Sequence, residues 1–143
     1  MLVSQILRNK GDSVFTIGPN ETIGSASSLL HSRKIGALVV QDENDRVVGI
    51  ISERDVVRVI AEKGAAALTQ PVSLSMSSEV IFAQPTEAVD ELLARMTDRR
   101  IRHLPVCRDQ RLVGIVSIGD LVKVKIAEAE HEAETLKNYI AAG

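Results

Sequence analysis

Apolar residues recur along this chain with two different periods, and the switches between them mark out the elements. Residues 14–17 (Val-Phe-Thr-Ile) and 35–40 (Ile-Gly-Ala-Leu-Val-Val) are short apolar runs of strand length, closed by Gly18-Pro19-Asn20 and by the polar turn 42–45. Between them Ile23, Ala26 and Leu30 fall at i, i+3 and i+7 behind Thr22, a residue able to cap, which predicts a helix with one apolar face. A second cycle follows. Residues 80–83 predict a strand closed by Gln84-Pro85, Val89, Leu92, Leu93 and Met96 a helix, and 101–106 a strand whose Pro105 points to an edge or a bulge. Each cycle ends in Gly-hydrophobic-hydrophobic-Ser-x-x-Asp, at 49–55 and at 114–120, where a β-branched strand runs into a helix. Residues 2–8 and 72–76 each look like one helical turn ahead of a cycle.

The order strand, helix, strand, strand, helix therefore occurs twice. Residues 46–60 laid on 111–125 agree at eight of fifteen positions: Arg46/Arg111, Val48/Val113, Gly49/Gly114, Ile50/Ile115, Ser52/Ser117, Asp55/Asp120, Val57/Val122 and Val59/Val124. The offset drops from 66 to 65 because the turn 108–110 is one residue shorter than 42–45, a change that a surface hairpin tolerates. The fold class expected is α/β (α+β), with a first repeat at 1–63, a linker at 64–71, a second repeat at 72–126 and a helical extension at 127–143. A unit of about 47 residues buries too little surface to be stable alone, so the two must pack on each other. A pseudo-twofold axis is the simplest arrangement, and it leaves a cleft with the two Ser/Asp turns on related sides.

Beyond the repeat, Val122, Ile126, Ala129, Ala133, Leu136 and Ile140 are spaced 4, 3, 4, 3, 4. This heptad stripe packs either on a partner subunit or back on the chain's own body.

Composition narrows the function. A net charge of -2, one Tyr, two Phe and no Trp leave neither a basic surface nor a stacking platform for nucleic acid. No apolar stretch approaches the roughly 18 residues of a membrane span, and residues 1–8 are too short and polar for a signal peptide, so a cytoplasmic protein is expected. The single Cys107 can form no internal disulfide, which suits a reducing compartment.

In each Ser-x-x-Asp turn both side-chain oxygens face the opening turn of a helix. One reading is a capping box, in which Ser52 with Asp55 and Ser117 with Asp120 satisfy backbone N–H groups. The other is a nucleotide site: helix N–H groups and the Ser hydroxyl meet phosphate, and the carboxylate accepts from both ribose hydroxyls. For one copy alone capping is favoured; duplication shifts the balance. Gly49 and Gly114 allow a close backbone approach or are simple turn glycines. Cys107 reads as a small, partly buried apolar residue, three scattered histidines give no metal spacing, and no Gly-x-Gly-x-x-Gly or P-loop appears.

The duplicated unit ending in Gly-hydrophobic-hydrophobic-Ser-x-x-Asp, with Ile-Arg-His-Leu-Pro-Val at 101–106, resembles the cystathionine-β-synthase (CBS) domain pair, or Bateman module, from the first helical turn to about residue 126. The resemblance implies two CBS repeats about a pseudo-twofold axis, and a non-catalytic module that binds an adenine nucleotide in the cleft. AMP, ATP or NAD are the ligands implied, with Mg only if ATP binds. It also implies a homodimer and an unknown regulated protein. Residue by residue, Asp55 and Asp120 would hold ribose, and Ser52 and Ser117 phosphate. Thr16, Ile35 and Ala37, with Phe82, Ile101 and Leu104, fall where the family lines its adenine pockets, although core packing suits each taken singly. Arg102 and His103 would point toward phosphate, while Arg99 and Arg100 read equally well as a solvated basic edge. Because Gly36 and Ala37 stand where Arg102 and His103 do, and Gly119 where Arg54 does, two unequal sites are expected. The alternative function is a dimerisation or interaction module with a vestigial cleft.

Overall fold

The structure is a computed structural model that describes residues 1–11 and 14–142. It runs α1 (Val3–Lys10), β1 (Thr16–Ile17), α2 (Ile23–Arg33), β2 (Ala37–Gln41), β3 (Val47–Ser52) and α3 (Glu53–Lys63), then two 3₁₀ turns at Gly64–Thr69 and Val72–Leu74. The second half is α4 (Val89–Arg99), β4 (His103–Arg108), β5 (Arg111–Ser117) and α5 (Ile118–Ala142). This mixed α/β fold carries the duplicated order expected. Thr22 Oγ1 accepts from the Ser25 N–H at the start of α2, the cap that the sequence suggested. β2 is buried along its first four residues, Leu38 and Val40 packing with α2, α3 and the first 3₁₀ turn, and burial on both faces is why it reads as a continuous apolar run rather than an alternation.

One expected strand is reduced. β1 pairs in parallel with β2, Thr16 opposite Val39 and Ile17 opposite Val40, whereas residues 80–83 give only the bridge of Ala83 to Val106. The reason lies in Pro105. Ala83 N–H donates to Pro105 O at 2.9 Å and Cys107 N–H to Ala83 O at 3.0 Å; the next rung back would need an N–H from Pro105, which has none. Val39, the counterpart of Pro105, keeps its N–H. A bulge follows one residue on, between Val106 and Cys107, matching that between Val40 and Gln41.

The hydrophobic core divides into two clusters, and the two leading segments cross between them. Val3, Ile6 and Leu7 of α1 pack with Val89, Leu92, Met96, Leu104 and Val116 of the second half. Val72 packs with Ile23, Leu38, Ile51 and Val59 of the first. Matching backbone bonds fix both crossings: Val3 N–H to Glu87 O at 3.0 Å and Ser4 N–H to Pro85 O at 2.9 Å, against Val72 N–H to Glu21 O at 2.7 Å and Ser73 N–H to Pro19 O at 3.0 Å. The exchange explains the repeated glycine. A Cβ on Gly114 would lie 2.5 Å from Leu7 Cδ2, and one on Gly49 would run into the Met76 side chain, so each Gly makes room for the segment crossing from the other half.

From residue 129 to residue 142, α5 is exposed on every side, so the second half of the stripe does not fold back on its own body. Its root is tied down by the Lys125–Asp90 ion pair at 2.9 Å and by the N-terminal ammonium on Glu128 at 3.3 Å. At about 1.5 Å per residue the helix is roughly 37 Å long, well beyond the body that anchors it.

Candidate functional site

Two cavities lie between the halves, and each takes a Ser/Asp turn from one half and the start of a strand from the other. Cavity A, of about 340 Å³, is lined by Ile50, Ser52, Glu53, Arg54 and Asp55 on one side and by Arg100, Ile101, Arg102 and His103 on the other, with Gly36 and Ser77. Cavity B, of about 460 Å³, joins Ile115, Ser117 and Asp120 to Lys34, Ile35, Gly36 and Ala37, with Lys10, Phe15 and His103. The sequence grouped residues by repeat; the fold pairs them across repeats.

Both Ser/Asp turns are capping boxes in full. In cavity A Ser52 N–H donates to Asp55 Oδ2 at 2.9 Å, Ser52 Oγ donates to the same oxygen at 3.0 Å, and Asp55 N–H donates to Ser52 Oγ at 3.3 Å. Asp55 is only 7 % exposed, and its other oxygen accepts from Arg58 Nη1 at 3.0 Å while Arg58 Nη2 donates to Ser75 O. In cavity B Ser117 N–H donates to Asp120 Oδ2 at 2.8 Å and Asp120 N–H to Ser117 Oγ at 3.2 Å. Here the cation is Lys10, whose Nζ donates to Asp120 Oδ2 at 2.7 Å and to Ile115 O at 2.9 Å. Burial pushes the Asp120 carboxyl up, but the Lys10 ammonium and the Ser117 N–H outweigh it and hold the group below the usual carboxylate range.

The helix starts are also tied to their own halves. Glu53 N–H donates to Gly36 O at 3.0 Å and, in the equivalent place, Ile118 N–H to Arg102 O at 2.8 Å. Lys34 and Arg100 close α2 and α4 in the left-handed conformation, both at φ 54°, a strained place for side chains other than Gly or Asn. In these positions Arg100 lines cavity A and Lys34 lines cavity B. Among the described residues Arg54, Arg100 and Arg102 make no ion pair, so cavity A carries three unpaired guanidinium groups, with the Glu53 carboxylate on the same wall. His103 lines both cavities and lies against Gly36, where a Cβ would come within 3.0 Å of its Nε2. Burial first, then the Lys10 ammonium, hold His103 below the ordinary imidazole range; Glu53 and Asp120 oppose them.

Of the expected site residues, Ser52, Arg54, Asp55, Gly36, Ile101, Arg102 and His103 come together in cavity A, and Ser117, Asp120, Ile35, Gly36, Ala37 and His103 in cavity B. Thr16, Phe82 and Leu104 line neither. Leu104 is fully buried in the second core, Phe82 is 40 % exposed, and Phe15 rather than its neighbour Thr16 reaches cavity B, with Arg33 stacked 4.8 Å from its ring. Residues 15 and 16 point to opposite faces of a strand, so a one-residue shift changes which of them meets the cleft. The sequence does not single out Lys10, Phe15, Lys34 or Arg58, and it leaves Arg100 open between the cleft and a solvated edge. Aligning Lys34 with Arg100 at the offset of 66 would have drawn attention to both. Burial raises the Cys107 thiol, and among the described residues no three His, Cys, Asp or Glu form a metal cluster. Among the described residues no helix is long and apolar enough to cross a membrane.

The model of the CBS domain matches twice, at residues 3–62 and 72–127. The CBS domain-containing protein CBSX3, mitochondrial, of Arabidopsis thaliana is 34 % identical over 149 residues, covering 99 % of this chain and 72 % of that protein. Among solved structures, the CBS-domain containing protein ATU1752 of Agrobacterium tumefaciens superposes with a TM-score of 0.84 at 46 % identity, over 87 % of this chain and 92 % of that one. The CBS domain pair of protein MJ0100, solved in complex with 5'-methylthioadenosine and S-adenosyl-L-methionine, gives 0.80 at 29 % identity over 90 % and 98 %. With two matched repeats, two related cavities and these relatives, the chain belongs to the CBS-domain family and is a CBS domain pair.

Proposed function

We propose that this CBS pair is a non-catalytic regulatory module that binds an adenine nucleotide, AMP, ATP or NAD, between its repeats and passes that occupancy to a regulated protein. The observation that carries the reading is the cross-paired cavity: a Ser/Asp turn at a helix start facing a cationic rim, present twice. Each cavity falls within the roughly 300–1,000 Å³ usual for small-molecule sites. Asp55 and Asp120 accept from the ribose hydroxyls, Ser52 and Ser117 with the opening turns meet phosphate, and the base lies against Ile101 in cavity A or against Ile35, Ala37 and Phe15 in cavity B. Arg54, Arg100, Arg102 and His103 take the phosphates of cavity A, and Mg²⁺ enters only with ATP. The MJ0100 ligands support an adenosyl group rather than a particular nucleotide. Among the described residues neither Ser52 nor Ser117 is hydrogen-bonded to a histidine, so no activated nucleophile is assembled.

The module works as a homodimer in the cytoplasm. Val57 on α3 and Val122 on α5, equivalent in the repeat, are both exposed, as are Ile126, Leu136 and Ile140 further along. A second reading, an interaction module with vestigial cavities, has one observation in its favour: both oxygens of Asp55 are already satisfied within the protein. Calorimetric titration with AMP, with ATP plus Mg²⁺ and with NAD separates the two. Micromolar binding of one of them, with cavity A filling before cavity B because its guanidinium groups are unpaired, is expected. No binding at millimolar concentration leaves the interaction module.

A further inference from the structure

We infer that Lys10 is a specificity-determining residue of cavity B, an ammonium that exchanges Asp120 for the phosphate of an incoming nucleoside monophosphate. The inference rests on the nucleotide reading above and adds what the two cavities do differently.

Lys10 reaches cavity B only because the leading segments cross. α1 buries Val3, Ile6 and Leu7 in the second half, and Leu7 sits in the space that Gly114 leaves open. Lys10 is one helical turn beyond Leu7, on the same side, and this delivers its Nζ to Ile115 O and Asp120 Oδ2. In cavity A the place is filled otherwise. Ile50, the counterpart of Ile115, exchanges two backbone bonds with Ser77, N–H to O at 3.0 Å and O from N–H at 2.9 Å, so no side chain is needed there. The cation on Asp55 comes from Arg58, on the same helix, which is not part of the wall of cavity A. The wall of cavity B includes Lys10 itself. A ligand approaching Asp55 therefore meets a carboxylate gripped from behind, while one approaching Asp120 meets an ion pair.

Asp120 Oδ2 is occupied by Lys10 and by Ser117 N–H, and Oδ1 has no hydrogen-bond partner among the described residues. One ribose hydroxyl can use Oδ1; for the second to use Oδ2, Lys10 has to leave. A ligand with a 5'-phosphate gives the departing ammonium a new anion, so one charge-assisted bond replaces another. A neutral nucleoside gives it only water. Cavity B therefore discriminates by charge at the ligand's 5' end, whereas in cavity A the second bond on Asp55 Oδ2 comes from the neutral Ser52 hydroxyl, so a ribose hydroxyl displaces no ion pair there.

The test is calorimetry with AMP and adenosine on the full chain in an Asp55→Asn background that weakens cavity A, comparing Lys10, Lys10→Met and Lys10→Arg. With Lys10 present AMP is preferred over adenosine by about ten- to hundredfold, the worth of one charge-assisted contact. In Lys10→Met that preference falls at least about tenfold, chiefly because adenosine binds more tightly while AMP affinity changes little, and Lys10→Arg keeps it within about threefold. If AMP and adenosine both bind and Lys10→Met leaves their ratio unchanged, the exchange is wrong and the nucleotide reading stands. If neither ligand binds the unmutated chain, both fall together.

Discussion

Replacing Asp55 by Ala separates the two things its carboxylate does, because capping shows in stability and ribose binding shows in affinity. The carboxylate is buried and accepts from Ser52 N–H, Ser52 Oγ and Arg58 Nη1. Loss of the cap costs about 0.5–2 kcal/mol. The Arg58 pair adds little, since the guanidinium is half exposed and an exposed pair is worth about 0–1 kcal/mol. Together these come to about 0.5–3 kcal/mol, against a total stability on the order of 5–15 kcal/mol, so the protein stays folded. At about 2–4 °C per kcal/mol for a chain of this size, the melting temperature falls by roughly 1–12 °C. Ser52→Ala keeps the Asp55 contact with Ser52 N–H but removes the N-cap hydroxyl itself, and should cost a similar amount, about 0.5–2 kcal/mol. Affinity behaves differently: Asp55→Ala loses both acceptors for the ribose diol and weakens cavity A by ten- to hundredfold, at about 1.5–3 kcal/mol for a bond to a charged acceptor. Circular-dichroism melts and calorimetry on the same preparations read both. If stability and affinity fell in proportion across the Ser52 and Asp55 variants, or if Asp55→Ala lowered the melting temperature and left affinity unchanged, the carboxylate would be a cap alone.

Three further outcomes follow from the structure. Gly114→Val forces a side chain into the space of Leu7 and should destabilise by about 1–3 kcal/mol; pairing it with Leu7→Ala should recover part of that loss in urea unfolding, and strict additivity would mean that α1 does not lie on β5. The folded Asp120 carboxyl lies below its unfolded value, so its contribution is present above the unfolded pKa and is lost as pH falls through the folded one; in Lys10→Met the folded value rises toward the unfolded one, so the acid loss should be smaller and complete at higher pH in melts run from neutral to acid, and an unchanged acid limb would show that the 2.7 Å ion pair is not what depresses it. Light scattering should give a dimer mass at micromolar concentration and Leu136→Asp should weaken it; an intact dimer in that variant would move the contact to the exposed Val57 and Val122 near the body.

The duplication made the fold legible: the identities at 46–60 and 111–125 and the matching helix stripes fixed the element order, the repeat and the two Ser/Asp turns. Pro105 announced an irregular strand but not its effect, because only the parallel register with Ala83 shows which rung loses its donor. The crossing of α1 and Val72 could not be read at all. Residues 2–8 and 72–76 have the same kind of apolar face, and such a face says that it is buried without saying against which half. Lys10 stayed hidden for that reason, as did the pairing of each Ser/Asp turn with the opposite repeat. Gly36 looked like a missing cation opposite Arg102. In the fold its bare Cα leaves the space in which the His103 ring lies between the two cavities.

A crystal structure of the full chain grown with AMP is the most direct measurement of the central claim. Density for a nucleotide in cavity A, its ribose hydroxyls on Asp55 and its phosphate among Arg54, Arg100 and Arg102, is the predicted result, with cavity B filling at higher concentration and Lys10 turned from Asp120 to phosphate. Empty cavities at saturating AMP, or a nucleotide bound away from both Ser/Asp turns, would contradict it.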